Sequence, residues 1–574
     1  MKKLIIILTI FYSFICSGQT ADEFYNRGFV KQGLKDYSGA IVDYDKSIEL
    51  NPNASDAFYN RAIAKDDLKD YNGAIADYTK AIMLDPNHSM AFYNRGITKY
   101  ELSDYSGAIA DFSKDIELNP ARREAIYNRG NIKRILKDYI GAITDYDNVI
   151  QLDPNYSDAF LNRGISKYEL NDYGGAIEDY NKVIVLYPNQ HQAFYNRGLS
   201  KYELSDYSGA IADFSKAIEL NPNDIDAYYF RGKTKRILKD YSGAISDYSK
   251  AIELNPNDGQ VYYNRGNIKG QTANYIGAIA DYDNAIQLDP NNSDAFLNRG
   301  ITKRILKDYS GSMADYDQAI KLNPNYSMAF YNRAFTKGVL NDYSGAIADY
   351  DKVILLNPND SDAFYNRANA KGELTDYSGA IADYNKAIEL NPNYSDALFN
   401  RGNIKRILKD YSSALADYDK VILLNPNYSN AYYYRAVTKG VLNDYSGALA
   451  DYDRVILLDP NDSNAFFNRA NDKGELKDYS GAIADYNKAI ELNPNYSIAL
   501  FNRAVTKGET EDYSGALADY DKVIQLDPNY TNAYYNRGII KHELQDYSGA
   551  CLDWQKAGDL GDATAYDVIK ENCD

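Results

Sequence analysis

This 574-residue chain contains three histidines, three cysteines and one tryptophan, which removes most familiar site chemistry at once. His88 and His191 stand between helical segments and His542 near the end. No His-Glu-x-x-His pair, no Cys-x-x-Cys spacing and no nucleotide-type glycine-rich loop accompanies them. Carboxylates are plentiful, but they recur at fixed intervals and read as features of an array before they read as general bases. The sequence therefore predicts neither an enzyme nor a cofactor. Clusters of basic residues are also missing, and the formal net charge is −18, spread evenly. That excludes nucleic acid and an anionic membrane surface as partners. Long apolar runs are absent except from Leu4 to Ile15, which is too short and badly flanked to span a bilayer.

Proline is scarce too, and its placement is the most informative feature of the chain. All fifteen prolines, from Pro52 to Pro528, stand 34 residues from the next. An arginine recurs sixteen times at the same period, from Arg27 to Arg537, inside a variant of Tyr-Asn-Arg-Gly/Ala. A fixed period of this length specifies stacked supersecondary units, each burying its face on its neighbours, in place of one closed core.

The start reads differently from the rest. Met1-Lys2-Lys3, the short apolar run and Cys16-Ser17-Gly18 form the pattern of a secretory signal over residues 1–18, with cleavage leaving Gln19 first. Cys16 raises lipid attachment as the alternative, although Ile15 and Ser13 stand where lipoprotein signals usually carry Gly or Ala and Leu. The expectation is an exported chain, periplasmic or extracellular, without membrane insertion. Cys551 and Cys573 would then be its last two cysteines, and an exported pair invites a disulfide. Two buried thiols are the other reading.

Residues 361–394 show one unit clearly. Ser361 is a plausible N-cap, after which Ala363, Phe364, Arg367, Ala368, Lys371 and Leu374 recur at helical spacing. Asp376-Tyr377-Ser378-Gly379 interrupts, and a second helix carries Ala380, Ile381, Tyr384, Ala387, Ile388 and Leu390. Pro392 then forbids continuation. The unit is an antiparallel helical hairpin.

Counting Ser361 as position 1, Gly or Ala falls at position 8, Ala at 20, an aromatic at 24 and Pro at 32, and sixteen such units fit residues 21–564 without insertion. This pattern resembles the tetratricopeptide repeat family. The resemblance implies an all-α, right-handed superhelical solenoid whose first helices line a concave groove for protein or peptide partners. Residues 565–574 are expected to close the stack as a capping helix, on a helical pattern running from Ala563 to Asn572. Cys551 and Cys573 lie eleven residues either side of Asp562, so a turn there would bring them together.

Three departures from the family pattern stand out. Position 7 is always Arg, position 11 always Lys and position 23 always Asp. Positions 7 and 11 share a helix face, and folding the hairpin about position 16 sets position 23 opposite them. Arg367, Lys371 and Asp383 exemplify the expected ion-pair ladder, whose role is structural. Position 6, which the resemblance places in the groove, is Asn in fourteen units: Asn26, Asn60, Asn94, Asn128, Asn162, Asn196, Asn264, Asn298, Asn332, Asn366, Asn400, Asn468, Asn502 and Asn536. A file of amides offers donor and acceptor to an extended chain, similar to asparagine ladders that hold peptides, although Asn is also common here in the family. Position 12 changes from Tyr or Arg in the first half to Gly in most later units. The functional expectation is an exported interaction scaffold. The alternative is an architectural spacer or an accessory subunit of an envelope assembly or secretion machine.

Overall fold

The computed structural model describes residues 20–573, so the signal segment 1–18, with Cys16, lies outside the described residues. Within them the chain forms 33 α-helices and no strand. The helices come in pairs, helix A and helix B of each repeat. Two compact bodies divide the chain at Pro290. The first holds repeats 1–8, from Ala21–Gly33 with Tyr37–Leu50 to Gly259–Gln271 with Tyr275–Leu288. The second holds repeats 9–16, from Ser293–Ile305 with Tyr309–Leu322 to Thr531–Glu543 with Tyr547–Asp559, and the closing helix Ala563–Asn572. Within each body, helix A packs on its own helix B, which packs on the next helix A.

Repeat 11, with helix A at Ser361–Glu373 and helix B at Tyr377–Leu390, shows how the sequence sets these ends. Asp360 caps helix A, accepting from the N–H groups of Asp362 and Ala363, while Ser361 is already the first helical residue. The cap lies one residue earlier than the sequence suggests because Asp360 supplies the better-placed oxygen. Asp376 caps helix B by accepting from the Gly379 N–H at 3.0 Å. A Cβ on Gly379 would stand 2.1 Å from that carboxylate, so glycine at position 19 lets the cap close tightly. Repeat 12 carries Ser413 at this position, and its bond to Asp410 lengthens to 3.3 Å.

The turn between the helices holds a feature the sequence does not announce. Position 15 adopts a left-handed conformation in all sixteen repeats, with φ from 59° to 65°, and none of these residues is glycine. Thr375 donates to the Gly372 carbonyl and Asp376 to the Lys371 carbonyl, the double bond that ends a helix on a left-handed residue.

The core is a column of small residues around one large ring per repeat. Ala363, Ala368, Ala380 and Ala387 are completely buried, and Tyr384 is 2% exposed among them. Position 8 stays Gly or Ala because the ring at position 24 lies against it: a Cβ on Gly402 would approach the Tyr418 ring to 2.9 Å. Ser312, the one departure from Ala at position 20, is fully buried and donates to the Tyr309 carbonyl. The closing helix spans Ala563–Asn572, the run its helical pattern marks and two residues longer at its start than the 565–574 segment, and Asp562 caps it through the Thr564 N–H. Ala565 is fully buried beside Trp554 and Ala557, with Val568 and Ile569 packed against them.

Candidate functional site

The A helices carry the candidate surface, and a polar framework fixes them in place. In repeat 11 the Arg367 fork reaches Asp383 through Nε at 2.8 Å and a terminal nitrogen at 2.5 Å, while Lys371 Nζ lies 2.8 Å from the same carboxylate. Asp383 is 5% exposed, and the ladder is present in all sixteen repeats. Beyond the first repeat of each body, the guanidinium does more than the sequence pattern suggested. The remaining Arg367 nitrogen donates to Asp351 of the preceding repeat at 2.5 Å. Arg61 reaches Asp45, Arg129 reaches Ser113 and Arg197 reaches Asn181 in the same way. The signal was visible: position 25 bears a side-chain oxygen in every repeat. A buried pair adds little net stability but fixes register, and this one also ties successive repeats.

The asparagines of position 6 are mostly half-buried, with Asn60 and Asn332 buried and Asn26 exposed. Many have a specific internal partner. Asn60, Asn94, Asn162, Asn264, Asn366, Asn400 and Asn468 each donate to the tyrosine hydroxyl at position 5 of the preceding repeat, at 2.8 to 3.3 Å. Two amides that follow a repeat without Tyr at position 5 use other acceptors: Asn332 the Met328 carbonyl and Asn502 Asn471. Burial raises the Tyr93 and Tyr520 hydroxyls, and hydrogen bonding to neighbouring Asn128 and Asn536 offsets part of that rise. Asn298 also has a partner, and Asn196 stands half-buried on the same face.

Position 9 extends this network wherever it is Asn. Tyr384 donates to Asn369 at 2.5 Å, and Asn400 of the next repeat donates to the same oxygen at 3.1 Å. Asn400 therefore has both amide hydrogens engaged, by Tyr365 and Asn369, and keeps its oxygen as an acceptor. The file of amides is consequently oriented, and part of its donor capacity is spent within the stack.

Cavities open between neighbouring A helices beside these amides. One of about 630 Å³ is walled by Asn369, Glu373, Tyr377, Asn400, Asn403 and Ile407, between repeats 11 and 12. Another of about 280 Å³ lies between repeats 10 and 11, against Phe335, Tyr343, Asn366 and Asn369. A third of about 240 Å³ involves Val505, Gly508, Tyr513, Asn536 and Ile539. Asp472, at position 10 of repeat 14, is unusual on this face. Its Oδ2 is buried without a hydrogen-bond partner, and burial, with Glu475 adding to it, pushes its carboxyl up to about 6.

At the end of the chain Cys551 and Cys573 form a disulfide, with Cα atoms 5.8 Å apart. It fastens the closing helix to helix B of repeat 16. Among the described residues there is no cluster able to hold a metal ion, and no helix is long and apolar enough to cross a membrane.

Comparison with known families gives matches along the chain. Models described as tetratricopeptide repeat match residues 55–88, 191–224, 395–428 and 463–496, and residues 24–54, 259–292 and 293–326. A model described as TPR repeat matches residues 130–170, 164–205, 232–272, 372–406 and 508–545. Comparison with curated proteins gives no match. Among solved structures, the chain is similar to YrrB, described as a TPR protein with an unusual peptide-binding site, at 22% identity over 32% of this chain and 95% of that one, with a TM-score of 0.30. It is similar to MamA from Desulfovibrio magneticus at 22% identity over 29% and 94%, TM-score 0.28. The C-terminal part of a TPR repeat-containing protein from Cytophaga hutchinsonii matches at 18% identity over 42% and 98%, TM-score 0.38.

Proposed function

The chain belongs to the tetratricopeptide repeat family, and on that premise we propose that it is an exported, non-catalytic scaffold holding extended protein segments along its A helices. The observation that carries the reading is the file of half-buried asparagines, oriented by tyrosine hydroxyls of the preceding repeat, beside cavities between neighbouring A helices. An amide held in this way loses little conformational freedom on binding, and its oxygen accepts from a ligand's peptide N–H.

Replacing Asn332, Asn366 and Asn400 together by Ala tests this directly. Capture of partners from the native envelope should fall while the thermal melt is kept. Unchanged capture by the triple variant would remove the file from the binding surface.

A spacer remains the second reading, favoured by the arginine ties between successive repeats within each body. It differs in its outcome: activity in the cell would then survive the triple substitution and fail on deletion of whole repeats. Export rests on the signal pattern of residues 1–18 and on the disulfide at the other end, which suits an oxidising compartment. Protein recovered from the envelope should begin at Gln19 and show no reactive thiol after denaturation without reductant; two free thiols would contradict export to such a compartment.

A further inference from the structure

Building on the A-helix face as a binding surface, we propose that repeats 9–12 take an extended acidic segment. Two of its carboxylates pair with Arg304 and Arg406, and neutral or basic side chains between them enter the cavities beside Gly338 and Gly372.

The pattern begins at positions 12 and 13. Arginine occupies position 12 in repeats 4, 7, 9 and 12, as Arg134, Arg236, Arg304 and Arg406. Isoleucine follows it each time, as Ile135, Ile237, Ile305 and Ile407. Position 13 is Glu in seven other repeats, among them Glu373, Glu475 and Glu509. The acid is therefore missing wherever the guanidinium is present. The same positions of the following repeats restore none: positions 9 and 13 are Phe335 and Val339 after Arg304, and Val437 and Val441 after Arg406.

The surroundings of the two guanidiniums fit this reading. Arg299 and Arg401, at position 7 of the same helices, pair with Asp315 and Asp417. Arg304 and Arg406 have no carboxylate in ion-pair range among the described residues. Each is half-buried, and each leaves its Nε buried without a hydrogen-bond partner. Their charged ends lie over aromatic rings of the next repeat, Phe335 at 4.9 Å and Tyr434 at 5.2 Å. A guanidinium held over a ring has less freedom to turn, which favours its planar fork receiving a carboxylate through two parallel bonds. Partial removal from water strengthens that attraction.

Between the arginines, helices A of repeat 10 (Ser327–Val339) and repeat 11 carry Gly338 and Gly372 at position 12. Packing does not demand these glycines. Nothing lies within 4 Å of a Cβ built on Gly338, and only Ile404 Cδ1, at 3.6 Å, is near one on Gly372. A glycine inside a helix costs about 1 kcal/mol against Ala, and what the missing side chains leave here is open space at the two cavities described above. Glu373 lines both. A second carboxylate there meets like charge, so the cavities select neutral or basic side chains. The register read along the second body is anion, pocket, pocket, anion. The net charge of −18 opposes an acidic ligand at long range, so selection rests on the two local pairings and not on steering.

The test pans phage-displayed random dodecapeptides on the full chain and titrates the most enriched peptide, fluorescein-labelled, by anisotropy. Enriched peptides should carry two Asp or Glu residues flanking neutral or basic ones. Changing those acids to Asn or Gln, or using Arg304→Gln with Arg406→Gln, should weaken binding at least tenfold. Arg304→Lys with Arg406→Lys, keeping charge and losing the fork, should weaken it less. Gly338→Leu with Gly372→Leu, filling both cavities, should also weaken it. Enrichment without acidic residues, or equal affinity for the amide-substituted peptide, overturns the inference and leaves peptide binding intact. No enriched peptide at all overturns both.

Discussion

At the scale of single residues, the hairpin turn was least legible in advance. A left-handed residue after a helix is normally betrayed by glycine, and position 15 here is Lys, Ser, Asn, Ala, Thr, Glu or Gln. The information lies in the bond pattern around it, which sequence periodicity does not report. Left-handed backbone costs a non-glycine residue about 1–2 kcal/mol, and a β-branched side chain suffers most. Thr375→Gly should therefore raise stability by about 1 kcal/mol, less what glycine loses through unfolded-state freedom. An unchanged or lower denaturation midpoint would mean that the turn carries no strain. Asp472 offers a pH test. Its folded pKa of about 6 lies above the ordinary carboxylate value, so the folded state binds the proton more tightly than the unfolded chain. Its penalty is absent well below pH 4, grows between about pH 4 and 6, and is complete above. Thr occupies position 10 in six other repeats, and Thr438 there donates to the Tyr434 carbonyl. Asp472→Thr should stabilise by about 1–2 kcal/mol at pH 7.5, with a smaller gain at pH 4.5. A gain independent of pH would assign the effect to packing alone.

At the scale of the hairpin, much was written openly. Proline at position 32, Gly or Ala at 8 and the aromatic at 24 give two helices, their ends and the face each buries. The meeting of Arg367, Lys371 and Asp383 could be read from two spacings and one turn. The further reach of these arginines was only half announced: an oxygen stands at position 25 of every repeat, but the bond crosses to the preceding repeat and its Asp, Asn, Ser or Thr looks like ordinary surface. The asparagines illustrate the same limit: their bond to tyrosine spans 35 residues and exists only where position 5 of the preceding repeat is Tyr. Arg367→Leu should destabilise by about 1–4 kcal/mol, since Asp383 stays buried with Lys371 alone and Asp351 loses its partner. In a repeat array the loss falls on nearest neighbours, so faster amide exchange should concentrate in repeats 10 to 12. Uniform exchange along the chain would show that the ladder does not couple adjacent repeats.

At the scale of the whole molecule, the chain offers repetition with local variation, and the proposed binding surface draws on the variation. The invariant Arg, Lys and Asp build every repeat alike, whereas positions 9, 12 and 13 of the A helices differ from one repeat to the next. Fold class was legible because it depends on what repeats. The cavities were not, because they depend on which side chains are missing beside which neighbours. The central claim is that the A-helix face receives the partner. Photo-crosslinking in the native envelope tests it most directly, with a benzophenone amino acid placed singly at Phe335, Ile407 or Glu389. Phe335 and Ile407 are 40% and 51% exposed on A helices, and Glu389 is exposed on helix B of repeat 11. The account expects a discrete partner adduct from positions 335 and 407 and none from 389. Adducts from 389, with none from the A-helix positions, would contradict it.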